Sequence, residues 1–132
     1  MSTQIQLVSP VDGLVYVERR CASAAEVNHA LRAAAKAQAQ WKLRPVSERA
    51  AFCSDAVDAM LSMRDEIVPE LAWQMGRPVR YGAGELRGFE ERARYMIAIA
   101  PEALEPIDPG PKAGFRRLIK REPLGTVLVI AP

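Results

Sequence analysis

The sequence predicts an α/β fold whose β-sheet is incomplete within this chain, and three observations lead to that prediction. Alanine is abundant and only 6% of the 132 residues are aromatic, which favours closely packed helices over an all-β core. Four segments carry apolar residues at helical spacing. The last apolar segment, residues 127–130, is continuous and rich in β-branched side chains, which is typical of a parallel strand covered on both faces.

The first segment predicts a β-hairpin or a pair of extended arms. Ile5 and Leu7, and later Val15 and Val17, alternate with polar residues on either side of a Ser-Pro-Val-Asp-Gly sequence at residues 9–13. Proline fixes φ early in such a turn, and glycine supplies a positive φ later in it.

The first two of four predicted helices are opened by serines. Ser23 and Glu26 have the spacing of a capping box, in which each side chain bonds a main-chain amide of the other residue. Arg44-Pro45 ends this helix. Ser47 is expected to cap the second helix.

The third and fourth helices are bounded by glycine and proline. We expect the third over residues 65–75, with Gly76 as its stop, and the fourth over residues 84–100, ended by Pro101. Glu90 and Arg94 are four residues apart on the fourth helix and can pair.

Two strands are predicted after an irregular linker at residues 106–111. Residues 115–122 are expected to form a charged strand, and residues 124–131 a strand of the buried type. Because a buried parallel strand needs neighbours on both sides, we expect most of its sheet to lie outside this chain.

The charged residues give little support for nucleic-acid binding. The net charge is +2, and the short basic cluster has no interleaved aromatic residues for stacking on bases. We interpret the cluster as an edge strand protected by charge, or as a contact between subunits. Its members are Arg116, Arg117, Lys120 and Arg121.

Few residues of the catalytic type are present, so no catalytic residue and no metal site is predicted. The chain has two cysteines and one histidine, without a C-x-x-C pair or a close Cys/His set. Cys53 lies inside a predicted helix, where a buried or half-buried structural role is expected. Cys21 has no feature of a reactive thiol, and His29 is expected on the surface.

One glycine cluster resembles a nucleotide-binding loop only superficially. Gly82-Ala83-Gly84 is followed by Gly88, but Arg87 stands where G-x-G-x-x-G needs its third glycine, and no strand precedes the cluster. We interpret it as a flexible helix start with one interior glycine.

The ends of the sequence predict a soluble, cytoplasmic protein without a membrane segment. The N-terminal residues lack the basic and apolar regions of a signal peptide, and the apolar residues 127–132 are too few to span a bilayer.

Several motifs together resemble the aldehyde dehydrogenase superfamily. Residues 122–132 read Glu-Pro-Leu-Gly-Thr-Val-Leu-Val-Ile-Ala-Pro, which is similar to the family's E-P-L-G-x-V-x-x-I-x-P. The turn at residues 9–13 resembles the N-P-x-T-G opening, Trp41 with Arg49 resembles the W…R pair, and residues 74–78 resemble E-x-G-K-P. Ser9, Gln74 and Arg77 replace the family's usual asparagine, glutamate and lysine.

The resemblance implies an enzyme that oxidises an aldehyde to the carboxylic acid with NAD or NADP. In that family a cysteine thiolate attacks the aldehyde, a hydride leaves the thiohemiacetal, and a glutamate-activated water releases the acid. The residues with these roles lie beyond Pro132 in the family, so this chain alone is expected to be inactive. Only Ile130, Ala131 and Pro132 match a cofactor-binding segment. A homodimer or homotetramer is implied, with no nucleic-acid or membrane partner.

The resemblance also divides the chain. Residues 1–106 match the first strands and four helices of a Rossmann-like cofactor domain, and residues 107–123 match a strand of the oligomerisation arm. Residues 124–132 match the first strand of the dinucleotide-binding sheet. Two alternatives are left open: a naturally short, non-catalytic assembly module that pairs with full-length subunits through residues 107–123, and a free-standing helical binder of small molecules.

Overall fold

A computed structural model describes residues 4–130 as a β-hairpin followed by four helices and an extended C-terminal segment. Within that range the one sheet has two strands, as expected for an α/β fold with an incomplete sheet. The elements are β1 (Gln4–Val8), β2 (Val15–Arg20), α1 (Ala24–Trp41), α2 (Val46–Ser62), α3 (Arg64–Met75) and α4 (Val79–Ala103).

The predicted hairpin is present, and its turn follows from side-chain and glycine geometry. β1 and β2 pair antiparallel, with Leu7 opposite Val17. The Asp12 carboxylate accepts a hydrogen bond from the amide of Leu14 at 3.0 Å, and Gly13 has a φ of +74°. Such a φ is unfavourable for a residue with a Cβ, so glycine at this position fixes the turn.

Helix α1 begins at the predicted capping box. The Ser23 side chain accepts from the Glu26 amide at 3.3 Å, and the Glu26 carboxylate accepts from the Ser23 amide at 2.8 Å. None of the residues of α1 is buried, although its apolar residues do recur at helical spacing. The helix meets α2 at its last residue, where the Trp41 ring lies 5.6 Å from the ring of Phe52.

Helices α2, α3 and α4 pack together and hold the small core. Val57 of α2 and Leu86 of α4 are the hydrophobic side chains that are buried within residues 4–130. A Cβ at Gly82 of α4 would lie 2.7 Å from Cγ1 of Val68 on α3, which is closer than Cβ atoms normally approach another atom. Glycine at this position therefore allows α3 and α4 to approach closely.

The predicted Glu90–Arg94 pair on α4 is confirmed. Nε of Arg94 lies 3.6 Å from Oε1 of Glu90. Arg94 also pairs with Asp58 of α2, so the same guanidinium joins two helices.

Two helix boundaries differ from the prediction. Ser47 does not cap α2, because the helix already begins at Val46, with Pro45 in the cap position and no side-chain cap. Helix α4 begins at Val79 rather than residue 84 and continues past Pro101 to Ala103. Proline removes one donor, but the Leu104 amide still bonds the Ala100 carbonyl and closes the last turn.

The two strands predicted near the C-terminal end are absent from residues 115–122 and 124–130. Ile107 and Ile119 form an isolated antiparallel bridge with main-chain bonds of 2.9 and 2.8 Å, and residues 124–130 have no ladder at all. A β-strand forms only where its main chain bonds to a neighbouring strand. No segment within residues 4–130 pairs with residues 124–130 in this way.

Candidate functional site

The predicted cofactor-binding residues lie at the end of the extended C-terminal segment. Ile130 is the last described residue and its surface is 84% exposed. Ala131 and Pro132 lie outside the described residues. Because residues 124–130 form no ladder, their main-chain amides and carbonyls are open to another polypeptide or a ligand.

This segment passes beside the C-terminal half of α1. A cavity of about 450 Å³ has Thr126 on one side and residues of α1, among them Ala34, Ala37 and Trp41, on the other. Its walls are mainly apolar. The segment and the apolar face of α1 thus form one continuous uncovered surface.

The glycine cluster is not a phosphate-binding loop. Gly82, Gly84 and Gly88 all lie inside α4, which begins at Val79, so they do not form a loop that leads into a helix N-terminus. The interpretation as a flexible helix start with one interior glycine is wrong about the helix start, because α4 begins at Val79 and all three glycines lie within it. These three glycines therefore form no phosphate cradle.

The cysteine prediction is wrong for Cys53. It is exposed, not buried or half-buried, because its position on α2 faces a groove between helices rather than the core around Val57. Cys21 is half-buried, and His29 is exposed as predicted.

The basic cluster is exposed, and part of it stabilises a loop. Arg117 donates to the carbonyls of Pro109 at 3.2 Å and Gly110 at 2.8 Å. Lys120 pairs with Glu122 at 2.7 Å and lowers the pKa of that carboxyl. These contacts fit a structural use of the cluster.

A second polar group joins the hairpin to α3. The Tyr16 hydroxyl donates to Glu70 at 2.9 Å, and the Gln74 amide donates to the other oxygen of the same carboxylate at 2.5 Å. Hydrogen bonds from Gln74 and Tyr16 lower the pKa of Glu70, and the bond to Glu70 raises the pKa of Tyr16. The charged carboxylate thus holds the hairpin on the helix.

Neither a metal centre nor a membrane span is found in the part of the chain that the structure describes. Residues 4–130 contain no group of three or more His, Cys, Asp or Glu residues able to hold a metal ion. No helix in that range is both long and apolar enough to cross a membrane.

One polar feature was missed by the sequence reasoning. Arg49 lines a groove between α2 and α4, and its Nε is buried without a hydrogen-bond partner within residues 4–130. The sequence did contain a signal that Arg49 would be partly buried, because Arg49 lies on the same helical stripe as Val46 and Cys53. A charged residue on such a stripe needs a partner.

The fold and motifs define a member of a known enzyme family. The aldehyde dehydrogenase family model matches residues 1–132. The chain therefore belongs to the aldehyde dehydrogenase family and corresponds to its N-terminal part.

Two curated relatives illustrate the similarity. Succinate-semialdehyde dehydrogenase [NADP(+)] of Deinococcus radiodurans is 32% identical over 109 residues, which are 82% of this chain and 22% of that protein. Vanillin dehydrogenase of Corynebacterium glutamicum is 30% identical over 125 residues, or 95% of this chain and 26% of that protein. The chain thus spans about a quarter of the length of the curated relatives that it matches.

Solved structures share the same arrangement of elements. An NAD-dependent benzaldehyde dehydrogenase from Corynebacterium glutamicum matches with a TM-score of 0.72 and 28% identity, over 84% of this chain and 24% of that one. An NADP-dependent glyceraldehyde-3-phosphate dehydrogenase from Bacillus halodurans, complexed with NADP, matches with a TM-score of 0.78 and 26% identity, over 92% and 27%. The predicted α/β fold, the incomplete start of a Rossmann-like domain, is confirmed.

Proposed function

We propose that residues 1–132 form the N-terminal part of an NAD(P)-dependent enzyme that oxidises an aldehyde to a carboxylic acid. The observation that carries the proposal is the family match over the whole chain, at about a quarter of the relatives' length. The names of the relatives support the reaction class, since they include semialdehyde, vanillin and benzaldehyde dehydrogenases.

The proposed role of this chain is structural support at the edge of the cofactor site. When bound, NAD or NADP supplies the hydride acceptor of the reaction. Ile130, Ala131 and Pro132 would border the dinucleotide through their main chain. In the proposed division, residues 1–106 form the helical layer, residues 107–123 an oligomerisation arm and residues 124–132 the first strand of the dinucleotide-binding sheet.

The exposure of residues 124–130 supports this role. Four consecutive apolar side chains, Val127 to Ile130, are all exposed, and the apolar face of α1 beside them is uncovered. An uncovered apolar surface of this kind is normally buried against further strands and helices. The rest of a cofactor domain would supply them.

The same proposal makes the 132-residue chain inactive by itself. Purified chain, mixed with a panel of aldehydes and either NAD or NADP, should produce no reduced nicotinamide. Turnover that co-purifies with the chain and persists after repurification would contradict this proposal.

A chimera tests the structural role directly. Residues 1–132 would replace the matched segment of the Corynebacterium glutamicum vanillin dehydrogenase, which covers 95% of this chain. Vanillin-dependent reduction of NAD or NADP by the chimera is expected. A soluble, cooperatively folded chimera without activity would contradict the assigned role.

A second candidate is the assembly module that pairs with full-length subunits. The bridged segment at residues 107–119 supports it, because Phe115, Leu118 and Ile119 are exposed apolar residues on an element with open main-chain groups. Leu118→Asp should then abolish co-purification with a full-length family member. Leu14→Asp, an equal change in the hairpin turn, should leave it intact. A homo-oligomer and a cytoplasmic location belong to the same set of proposals.

A further inference from the structure

A cleft between the hairpin and α3 combines apolar side chains with charges of both signs. Its volume is about 680 Å³, within the roughly 300–1,000 Å³ usual for small-molecule sites. It shares no lining residue with the cavity beside Thr126. The hairpin supplies five of the lining residues and α3 supplies two, which are Ile5, Leu7, Tyr16, Val17 and Arg19, and Glu70 and Gln74.

The register of the hairpin places one of its faces on the cleft. Ile5 is opposite Arg19, and Leu7 is opposite Val17. Directly opposed residues of an antiparallel pair project to the same side of the sheet, and alternate residues of a strand share a side. All four residues line the cleft. The side chain of Arg19 is therefore on the cleft side of the hairpin, together with three apolar side chains.

Arg19 and Glu70 bring opposite charges to the cleft without forming an ion pair. Within residues 4–130, no carboxylate pairs with Arg19. The Arg19 guanidinium donates to the Glu18 carbonyl, and its further N–H groups can bind a ligand. Both charged side chains are exposed.

The Glu70 carboxylate is held in place and still has room for a donor. One of its oxygens accepts from the Tyr16 hydroxyl and the other from the Gln74 amide, which leaves about two of its four acceptor positions. Hydrogen bonds from Gln74 and Tyr16 lower the pKa of Glu70, and the charge of Arg19 adds to this effect. The two charges thus act on each other across the cleft.

The chemistry of this arrangement selects a zwitterion with an apolar side chain. A carboxylate matches the Arg19 guanidinium in shape and charge, and an ammonium group can donate to Glu70. A simple anion would be repelled by Glu70, and a simple cation by Arg19, so a molecule with both charges is favoured over either. Ile5, Leu7 and Val17 offer an apolar surface for the remainder of the ligand.

We propose that this cleft binds a small α-amino acid with an apolar side chain. The carboxylate of the ligand accepts from Arg19, its ammonium group donates to Glu70, and its side chain lies against the apolar face of the hairpin. This site goes beyond the proposed function, because it requires neither a nicotinamide cofactor nor an aldehyde and uses no residue of the segment 124–132.

Free leucine is the probe, titrated into the 132-residue chain with labelled methyl groups and followed by NMR. The methyl signals of Ile5, Leu7 and Val17 should shift, whereas those of the buried Val57 should not. Two analogues keep the branched apolar chain and lose one charge: isocaproate has no ammonium group, and isoamylamine has no carboxylate. Each should bind about fivefold more weakly than leucine, or weaker still, since one pairing with a protein charge is lost.

Substitutions assign each charge of the ligand to its partner. Arg19→Met should weaken leucine binding about fivefold or more and leave isoamylamine bound at least as tightly as before. Glu70→Gln should weaken leucine to a similar extent and leave isocaproate bound at least as tightly. Arg32→Met and Glu66→Gln are the matched controls, because both residues are exposed and line no part of the cleft, and neither change should alter the affinities. Circular dichroism checks that each variant is folded.

Two results would overturn the proposal. One is that the methyl signals of Ile5, Leu7 and Val17 do not move up to the solubility limit of leucine. The other is that leucine, isocaproate and isoamylamine bind equally well. Both are measured on the unsubstituted chain, so they do not depend on whether the variants fold.

Discussion

The Ser9 hydroxyl donates a hydrogen bond to the main-chain oxygen of Trp73 at 2.7 Å and joins the hairpin to α3 across 64 residues of sequence. Ser9 is 1% exposed, and its oxygen also accepts from the Val11 amide at 3.2 Å. Pro10 lies against Gly76, where an added Cβ would meet Cγ of the proline at 3.1 Å. The turn of the hairpin therefore packs against the C-terminal end of α3.

Loss of the Ser9 hydroxyl should destabilise the chain. Ser9→Ala leaves the Trp73 carbonyl without this donor at a part-buried position, so we expect the free energy of unfolding to fall by about 1–3 kcal/mol. Urea unfolding followed by circular dichroism measures it. Ser62→Ala is the matched control, because the Ser62 hydroxyl bonds the Ala59 carbonyl at an exposed position. Its effect should stay within about 0.5 kcal/mol, and equal effects of the two substitutions would contradict the prediction.

Two glycines of α4 should respond oppositely to alanine. Gly82→Ala places a Cβ 2.7 Å from Val68, so overpacking should destabilise the chain by about 1–3 kcal/mol. At Gly84 the nearest atom to an added Cβ is Nη2 of Arg87 at 3.9 Å, so Gly84→Ala should stabilise it by about 0.5–1 kcal/mol through helix propensity.

A double substitution tests the cause of the Gly82 effect. Adding Val68→Ala to Gly82→Ala should cost less than the two single changes together, because it removes the clashing methyl groups. Additive effects in urea unfolding would show that the close approach between α3 and α4 is not the reason.

The start of α1 should be sensitive to acid. The hydrogen bond from Arg20, followed by those from Ser23, lowers the pKa of Glu26 from 4.5 to about 2. Because the folded state favours the charged carboxylate, its contribution is fully present above pH 4.5 and is lost as the pH falls towards 2. An NMR titration of the Glu26 carboxyl should give the low pKa. In Arg20→Gln the pKa should rise towards the ordinary value, and an unchanged pKa would contradict the assigned cause.

The exposed segment near Ile130 should promote self-association. Val129→Lys places a charge within an apolar run that has open main-chain groups, so it should reduce concentration-dependent association of the 132-residue chain. Sedimentation velocity at several concentrations measures this. Leu43→Lys introduces the same charge at an exposed apolar position outside the segment and should have little effect. Equal effects would indicate net charge as the cause.

Local signals in the sequence predicted much of the fold. The Ser23–Glu26 capping box, the turn with Gly13 and the stop at Gly76 depend on residues within a few positions of each other, and all three are present as predicted. Helix ends at prolines were less predictable. Pro101 lies inside α4 because one missing donor near the end of a helix is tolerated when the next turn still closes.

Features that depend on distant residues could not be predicted in this way. The exposure of Cys53 is set by how α2 packs on the neighbouring helices, which no local pattern encodes, whereas the burial of Nε of Arg49 had a local signal in the helical stripe that Arg49 shares with Val46. The strand expected at residues 124–131 carries the right apolar residues, but strand pairing needs a partner that residues 4–130 do not supply. The assignment of Ile130 to a cofactor site therefore remains a prediction.

The two aromatic contacts make the tryptophans independent fluorescence probes of two different contacts, one between the hairpin and α3 and the other between α1 and α2. Tyr16 and Trp73 are stacked with ring centroids 5.7 Å apart and planes 3° from parallel. The emission of Trp73 therefore reports on the packing of the hairpin against α3. Trp41 lies against Phe52 where α1 meets α2. Since the sequence has only these 2 tryptophans, Trp41→Phe leaves an emission spectrum that follows the hairpin alone, and Trp73→Phe leaves one that follows the helices. The order in which the hairpin and α1 separate from the other helices can thus be read from fluorescence without an added label.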